Sequence, residues 1–264
     1  MEQNLPPSGE ERQFQTVSGA AVDGAPIAYV IVLAAVVTAL SFIPFSVVLA
    51  TGGGMPLSQS ILPLLGWLLG PIAGALASGI GALIGIFLAP YTAGGIPALT
   101  IGGAMLTSFA AGTMVVSGSR RKYWYLGLTI LFVLLFCLYA YQAIGRNGIT
   151  LNTFMLGSFV DWSGLLLFVL PTRQLIARWI NSANVGLVAI GLFMGTWTIS
   201  GVGHLSAASI AYLIFNWPQE IWVTLIPIIP VENLIRCTAG TVIGTGVISG
   251  LRAIKLVKPK HALY

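Results

Sequence analysis

Four ionisable side chains interrupt otherwise apolar stretches of this sequence: Asp161, His204, Glu232 and Arg236. Such groups are costly at membrane depth and are kept there for ligand binding, for ion or proton pathways, or as buried pairs. Glu232 precedes Arg236 by four residues, so on a helix the two share a face and can pair. A glutamate near a helix start is also favoured by the helix dipole. That couple reads either as self-satisfied structure or as a polar anchor. His204 follows Gly201-Val202-Gly203 and can hydrogen-bond a ligand or a backbone carbonyl. Asp161 stands beside Trp162 and reads as an internally bound group, with Arg146 as its candidate partner.

Aromatic residues gather in the same part of the chain: Trp197, Tyr212, Phe215, Trp217 and Trp222. They suit an interfacial belt, or the walls of a site for a flat ring supplied with a few converging polar groups. Asn216, Glu220, Glu232 and Asn233 are near in sequence to supply those groups. The candidate binding set is therefore Asp161, Trp197, His204, Tyr212, Trp217, Glu232 and Asn233. Nothing supports catalysis. The two histidines are His204 and His261, the latter in a basic tail, and neither HExxH nor GxSxG occurs. Cys137 and Cys237 sit in apolar stretches without metal-ligand spacing. No Walker A lysine motif is present. The chain is read as a non-enzyme with no cofactor or metal.

The elements that must position these residues follow from composition. Of 264 residues, 56% are hydrophobic and 7% charged, and the mean hydropathy is +0.92. A soluble domain carries roughly a quarter charged residues. Residues 24–119 contain no Asp, Glu, Lys or Arg, room for several spans of about 20 residues each. The expected fold is an all-α polytopic bundle of six to eight spans over residues 27–253. Residues 1–26 are polar and read as a disordered cytoplasmic tail, and 254–264 as a basic cytoplasmic tail. The net charge of +5 lies in short loops between apolar stretches, the pattern that orients membrane proteins, so nucleic acid is excluded as a partner.

The expected spans are 27–49, 57–70, 71–89, 97–117, 124–144, 154–171, 185–215, with a possible interruption at Gly201-Val202-Gly203, and 225–251. One helix over 57–89 would be about 50 Å long, well beyond a hydrocarbon core of about 30 Å. Gly70-Pro71 is its natural break, because proline removes a backbone donor and crowds the preceding turn. With eight spans and an internal amino terminus, Arg120 to Lys122, Arg173, Arg178, Arg252, Lys255, Lys258 and Lys260 all lie inside. Only Arg146 then falls outside. Fusing 57–89 moves the amino terminus outside and leaves the basic clusters inside, so charge places the carboxyl terminus in the cytoplasm more firmly than the amino terminus. The protein is expected in the cell membrane.

Small residues recur at helical spacing: Gly66, Gly70 and Gly74; Gly81 and Gly85; Gly240 and Gly244; Gly246 and Gly250. In lipid such stripes let helix backbones approach closely. Ala35 and Ala39 stand one turn apart in the first span and suit either an internal neighbour or a partner subunit. The order of Leu33 to Phe45 (LAAVVTALSFIPF), a Gly/Pro loop, Leu62 to Gly85 (LPLLGWLLGPIAGALASGIGALIG) and Ile229 to Gly250 (IPVENLIRCTAGTVIGTGVISG) resembles the substrate-specific S component of energy-coupling factor (ECF) importers. The Gly-Pro-x-x-Gly hinge carries most of that resemblance.

It implies a helical subunit that captures a vitamin or similar micronutrient from outside and topples against a transmembrane coupling subunit driven by two cytoplasmic ATPases. By the same resemblance, Ala35 and Ala39 would face the coupling subunit. The chain is longer than the family's usual six-span form, and residues 124–171 read as an extra hairpin. The expected pocket opens outward, is lined by the late spans, and is lidded by the loop from Gly52 to Pro56. The rival expectation is a non-catalytic accessory or scaffold subunit of a larger membrane complex. A solitary secondary transporter would show inverted repeats with broken helices, and no internal repeat is evident.

Overall fold

The computed structural model describes residues 20–48, 53–92, 96–114, 119–254 and 257–264. Ten α-helices account for most of them: α1 (Ile27–Leu40), α2 (Leu62–Leu69), α3 (Pro71–Leu88), α4 (Pro97–Thr113), α5 (Ser119–Ala140), α6 (Leu151–Gly157), α7 (Phe159–Val169), α8 (Thr172–Ile180), α9 (Val185–Phe215) and α10 (Gln219–Ala253). Two small antiparallel hairpins complete them, β1 (Ala21–Val22) with β2 (Ala25–Pro26) and β3 (Pro44–Val48) with β4 (Gly53–Pro56). The all-α membrane bundle is thus present. Among the described residues, four helices are long and apolar enough to cross a bilayer: α3, α5 extended to Arg146, α9 and α10. A fifth span arises if α6 and α7, bent by 68°, count as one.

Several boundaries differ from those expected. The first span stops at Leu40, because Pro44 cannot continue a helix and the chain turns into β3. The expected 27–49 span is therefore a short helix followed by a hairpin arm. Helix α2 begins only at Leu62, after a 3-10 turn over Leu57–Ser60. Gly70 breaks α2 from α3 as anticipated, with φ +91° and ψ 176°, a left-handed geometry that favours glycine. Pro71 then opens α3, where its missing N–H costs nothing. By contrast, α9 runs unbroken through Gly201-Val202-Gly203. Gly201 is there to seat α7, since a Cβ would lie 2.5 Å from Val160 O. Helix α10 starts at Gln219 rather than near 225 and carries Pro227 and Pro230 within it. The amphipathic α8, with Arg173 and Arg178, was not anticipated.

Close backbone contacts hold the bundle. A Cβ on Gly66 would stand 2.1 Å from Ser108 O, on Gly74 2.8 Å from Gly66 Cα, and on Gly81 2.7 Å from Ala34 O. These stripes bring α2, α3, α4 and α1 together where larger side chains would hold them apart. Residues 124–171 are not an appendage: α5 and α7 pack on α9, Phe132 meets Phe168 edge-on at 5.4 Å, and the Tyr125 hydroxyl donates to Val169 O at 2.8 Å.

The expected tail 1–26 lies outside the described residues as far as residue 19. Residues 20–26 carry the β1–β2 hairpin, so that part of the expected disordered segment has regular structure. The carboxyl-terminal residues 257–264 fold back onto the bundle: Leu263 N–H donates to Trp67 O at 2.7 Å, Lys260 N–H to Gly24 O at 3.2 Å, and Tyr264 is buried. Residues 20–29, 67–70, 180–182, 252–254 and 257–264 thus share one end, tied further by Arg252 Nη1 donating to Ser182 O at 2.6 Å. The other end holds β3–β4, Thr92, the α9–α10 turn at Asn216, and Asn147, whose amide donates to the Tyr212 hydroxyl at 2.6 Å.

Candidate functional site

A cavity of about 230 Å³ lies between α4, α9 and α10 and reaches the β3–β4 end of the bundle. Its walls are made by what is missing. On α9, Ala207, Ala208 and Ala211 border the space with nothing longer than a methyl group, while Gly203 admits Thr107 of α4, whose Oγ1 would lie 2.6 Å from an added Cβ. On α4, Gly103 faces space, with no atom within 4 Å of where its Cβ would be. Ile228 and Ile229 of α10 close the opposite side, and Phe215 and Trp217 stand near the end, stacked at 6.1 Å with an interplanar angle of 2°.

The polar side of this cavity comes from three elements. His204 lines it, and its Nδ1 lies 2.6 Å from Asp161 Oδ1 of α7. Asp161 is fully buried behind the wall, and its other oxygen has no partner within the described residues. The pair therefore orients the imidazole and leaves Asp161 unable to meet a ligand directly. Glu232 and Arg236 line the cavity from successive turns of α10. They do not pair with each other. Glu232 accepts the Ser46 hydroxyl, and an Arg236 Nη donates to the Met55 sulfur, so the β3–β4 hairpin supplies a neutral contact to each charge. Phe45 of the same hairpin lies 6.0 Å from the Arg236 guanidinium carbon.

Of the seven expected binding residues, the structure places His204, Trp217 and Glu232 on the cavity and Asp161 one bond behind it. The other three do not line it. Trp197 is on the His204 face of α9 but seven residues earlier, about 10 Å deeper. It donates to Ser163 Oγ at 3.1 Å and packs on Phe159. Tyr212 is fully buried and does not line the cavity; it packs behind Tyr139 and Trp217, which do, and against Trp222, and its hydroxyl donates to Trp217 O at 3.1 Å. Asn233 is one position, about 100°, round α10 from Glu232. It is buried at 1% exposure with neither amide atom hydrogen-bonded among the described residues.

Arg146 is not the partner of Asp161. It donates to Gln142 Oε1 at 3.2 Å. Trp222, expected in an interfacial belt or a wall, is buried in the same aromatic cluster. Of the expected lid, residue 52 lies outside the described residues, whereas Gly54, Met55 and Pro56 do border the cavity. Ala35 and Ala39 are exposed on the outer face of α1, while Ala34 and Val37 take the internal contact with α3. The alanine wall, Tyr139 and the whole α4 side were missed. Ala207 and Ala211, four apart, were a legible signal, since they repeat the small-residue spacing noted elsewhere. Among the described residues no group of three or more His, Cys, Asp or Glu side chains could hold a metal ion.

No family model matches the chain, and neither a curated protein nor a solved structure matches it. What the site can do is therefore set by its own residues: an apolar slot with aromatic rings at one end, an oriented imidazole, a carboxylate and a buried guanidinium.

Proposed function

We propose that this protein is a membrane-embedded capture subunit that holds a small amphipathic molecule in the cavity between α4, α9 and α10. The observation that carries this reading is that one water-sized-or-larger space, about 230 Å³, unites apolar walls with three ionisable side chains, the composition of a ligand site. A bundle serving only as a scaffold has no use for Glu232 and Arg236 beside unfilled space, because such groups are costly there.

In this reading the chain makes eight passes. The residues flanking α1 and α10 meet at one end, where Tyr29 OH donates to Val257 O at 3.3 Å and Lys260 N–H to Gly24 O, so the number of passes is even. Lys122, Arg173, Arg178, Arg252, Lys258 and Lys260 belong to that end, which the positive-inside rule assigns to the cytoplasm. The cavity then faces outward. The resemblance to ECF S components extends the proposal to delivery: a vitamin-like molecule passed on through a coupling subunit and two ATPases, with the exposed Ala35 and Ala39 as the contact face.

The test is mass spectrometry of small molecules that accompany the purified protein, repeated for Ala207→Phe, which fills the slot. A molecule present in the natural chain and absent from Ala207→Phe supports capture. Recovery of no small molecule and no coupling subunit from either would replace capture by the accessory-subunit reading.

A further inference from the structure

We infer that the cavity is built for a small monocarboxylate whose carboxylate seats on Arg236; this rests on the capture reading above. Arg236 borders the cavity while being only 7% exposed. Its Nε has no hydrogen-bond partner among the described residues, and the side-chain contact of its Nη is the Met55 thioether, a weak acceptor. Ion pairs among the described residues join His204 to Asp161 and His261 to Asp23, and neither involves Arg236. Glu232 and Asp161 lie within Coulombic reach of the guanidinium, but Glu232 is engaged by Ser46 and Asp161 by His204. A buried guanidinium whose one hydrogen-bond acceptor among the described residues is a sulfur keeps most of its planar fork of donors unspent, and a carboxylate matches that fork with two parallel hydrogen bonds.

Size and charge narrow the ligand. A cavity of about 230 Å³ is below the roughly 300–1,000 Å³ of sites for drug-sized molecules, so the body is about one ring or a short chain. A phosphate dianion fits poorly, because one guanidinium supplies one positive charge and Glu232 stands a single helical turn, about 6 Å, away. The carboxylate goes to Arg236, and the apolar body runs past Glu232 along Ala207 and Ala211 towards Trp217. Met55 is the group displaced.

A matched probe series tests this: phenylpropionate, phenylpropanol and phenylpropylamine, titrated onto the full chain in lipid nanodiscs at neutral pH, with binding read by calorimetry. A carboxylate–guanidinium contact is expected to make phenylpropionate bind at least about tenfold tighter than phenylpropanol, with the amine no better than the alcohol. Arg236→Met, of similar length, is expected to bring the acid down to the affinity of the alcohol. If that variant does not fold, Arg236→Lys is expected to keep the order acid over alcohol with a several-fold smaller ratio, since the bidentate geometry is lost.

The inference is overturned if the amine binds best, which would make Glu232 the anchor, or if the acid keeps its advantage in Arg236→Met. It is also overturned if all three probes bind equally and Ala207→Phe abolishes them, an outcome that leaves capture standing. No saturable binding of any probe, together with no co-purified molecule, removes both.

Discussion

The α2–α4 contact towards one end of the bundle and the cavity towards the other spend the same small residues in opposite ways. Towards the end that holds the folded-back carboxyl terminus, glycines bring backbones into contact: a Cβ on Gly66 would lie 2.1 Å from Ser108 O and one on Gly112 2.4 Å from Pro71 N. Towards the β3–β4 end, Gly103 faces nothing within 4 Å, and Ala207, Ala208 and Ala211 border a void. A small residue is therefore neither a packing device nor a cavity device in itself. What decides is whether the opposing backbone comes close enough to use the space. The packed end gives a rigid base, and the open end keeps its charges where a solute can reach them.

Replacing a glycine at each end is the sharpest way to break this contrast. Gly66→Val is expected to cost about 3 kcal/mol or more, because its neighbour is backbone and cannot swing aside, and folded protein should be lost in size-exclusion chromatography. Gly103→Ala is expected to cost nothing and, with open space at its Cβ inside a helix, to stabilise by up to about 1 kcal/mol. Equal losses at the two sites would dissolve the distinction. Next in size is Asp161→Ala, which leaves His204 without its hydrogen bond in a buried setting. A loss of about 2–3 kcal/mol is expected in denaturant unfolding in detergent.

Ser46→Ala probes the open end more gently. It removes one neutral donor from the half-buried Glu232, so about 1 kcal/mol or less is expected, with the β3–β4 hairpin more easily cut by protease. The smallest effect belongs to the packed end. Burial, and then the neighbouring Tyr29, hold the Tyr264 phenol above its ordinary value near 10. The neutral phenol is the docked form, so its contribution is complete below about pH 10 and is lost as pH rises past the raised value. Protease access to residues 257–264 should increase above that pH in the natural chain and show no such step in Tyr264→Phe.

Much of this architecture is legible in the sequence. A charge-free run over 24–119 could only be an embedded bundle, since no soluble surface can be made from it. Gly70-Pro71 announced its break because both residues act on their own backbone: glycine admits the positive φ and proline the first helical position. The collection of basic residues at one end was readable as well, being a matter of which loops they occupy. So were His204 and Glu232 as polar members of the site, because an ionisable side chain in an apolar run is conspicuous in the sequence itself.

The pairings were decided only by tertiary packing. Glu232 and Arg236, four apart, looked made for each other, yet they meet Ser46 and Met55, 186 and 181 residues away. Asp161 took His204, 43 residues on, over the nearer Arg146. Asn233 and Tyr212 missed the cavity by fractions of a helical turn. Spacing rules describe what neighbours within one turn can reach, whereas a cavity exists only where several helices fail to fill the space between them. That failure depends on how closely α4, α9 and α10 approach, a distance set by glycines elsewhere in the bundle and written in no local stretch of the chain.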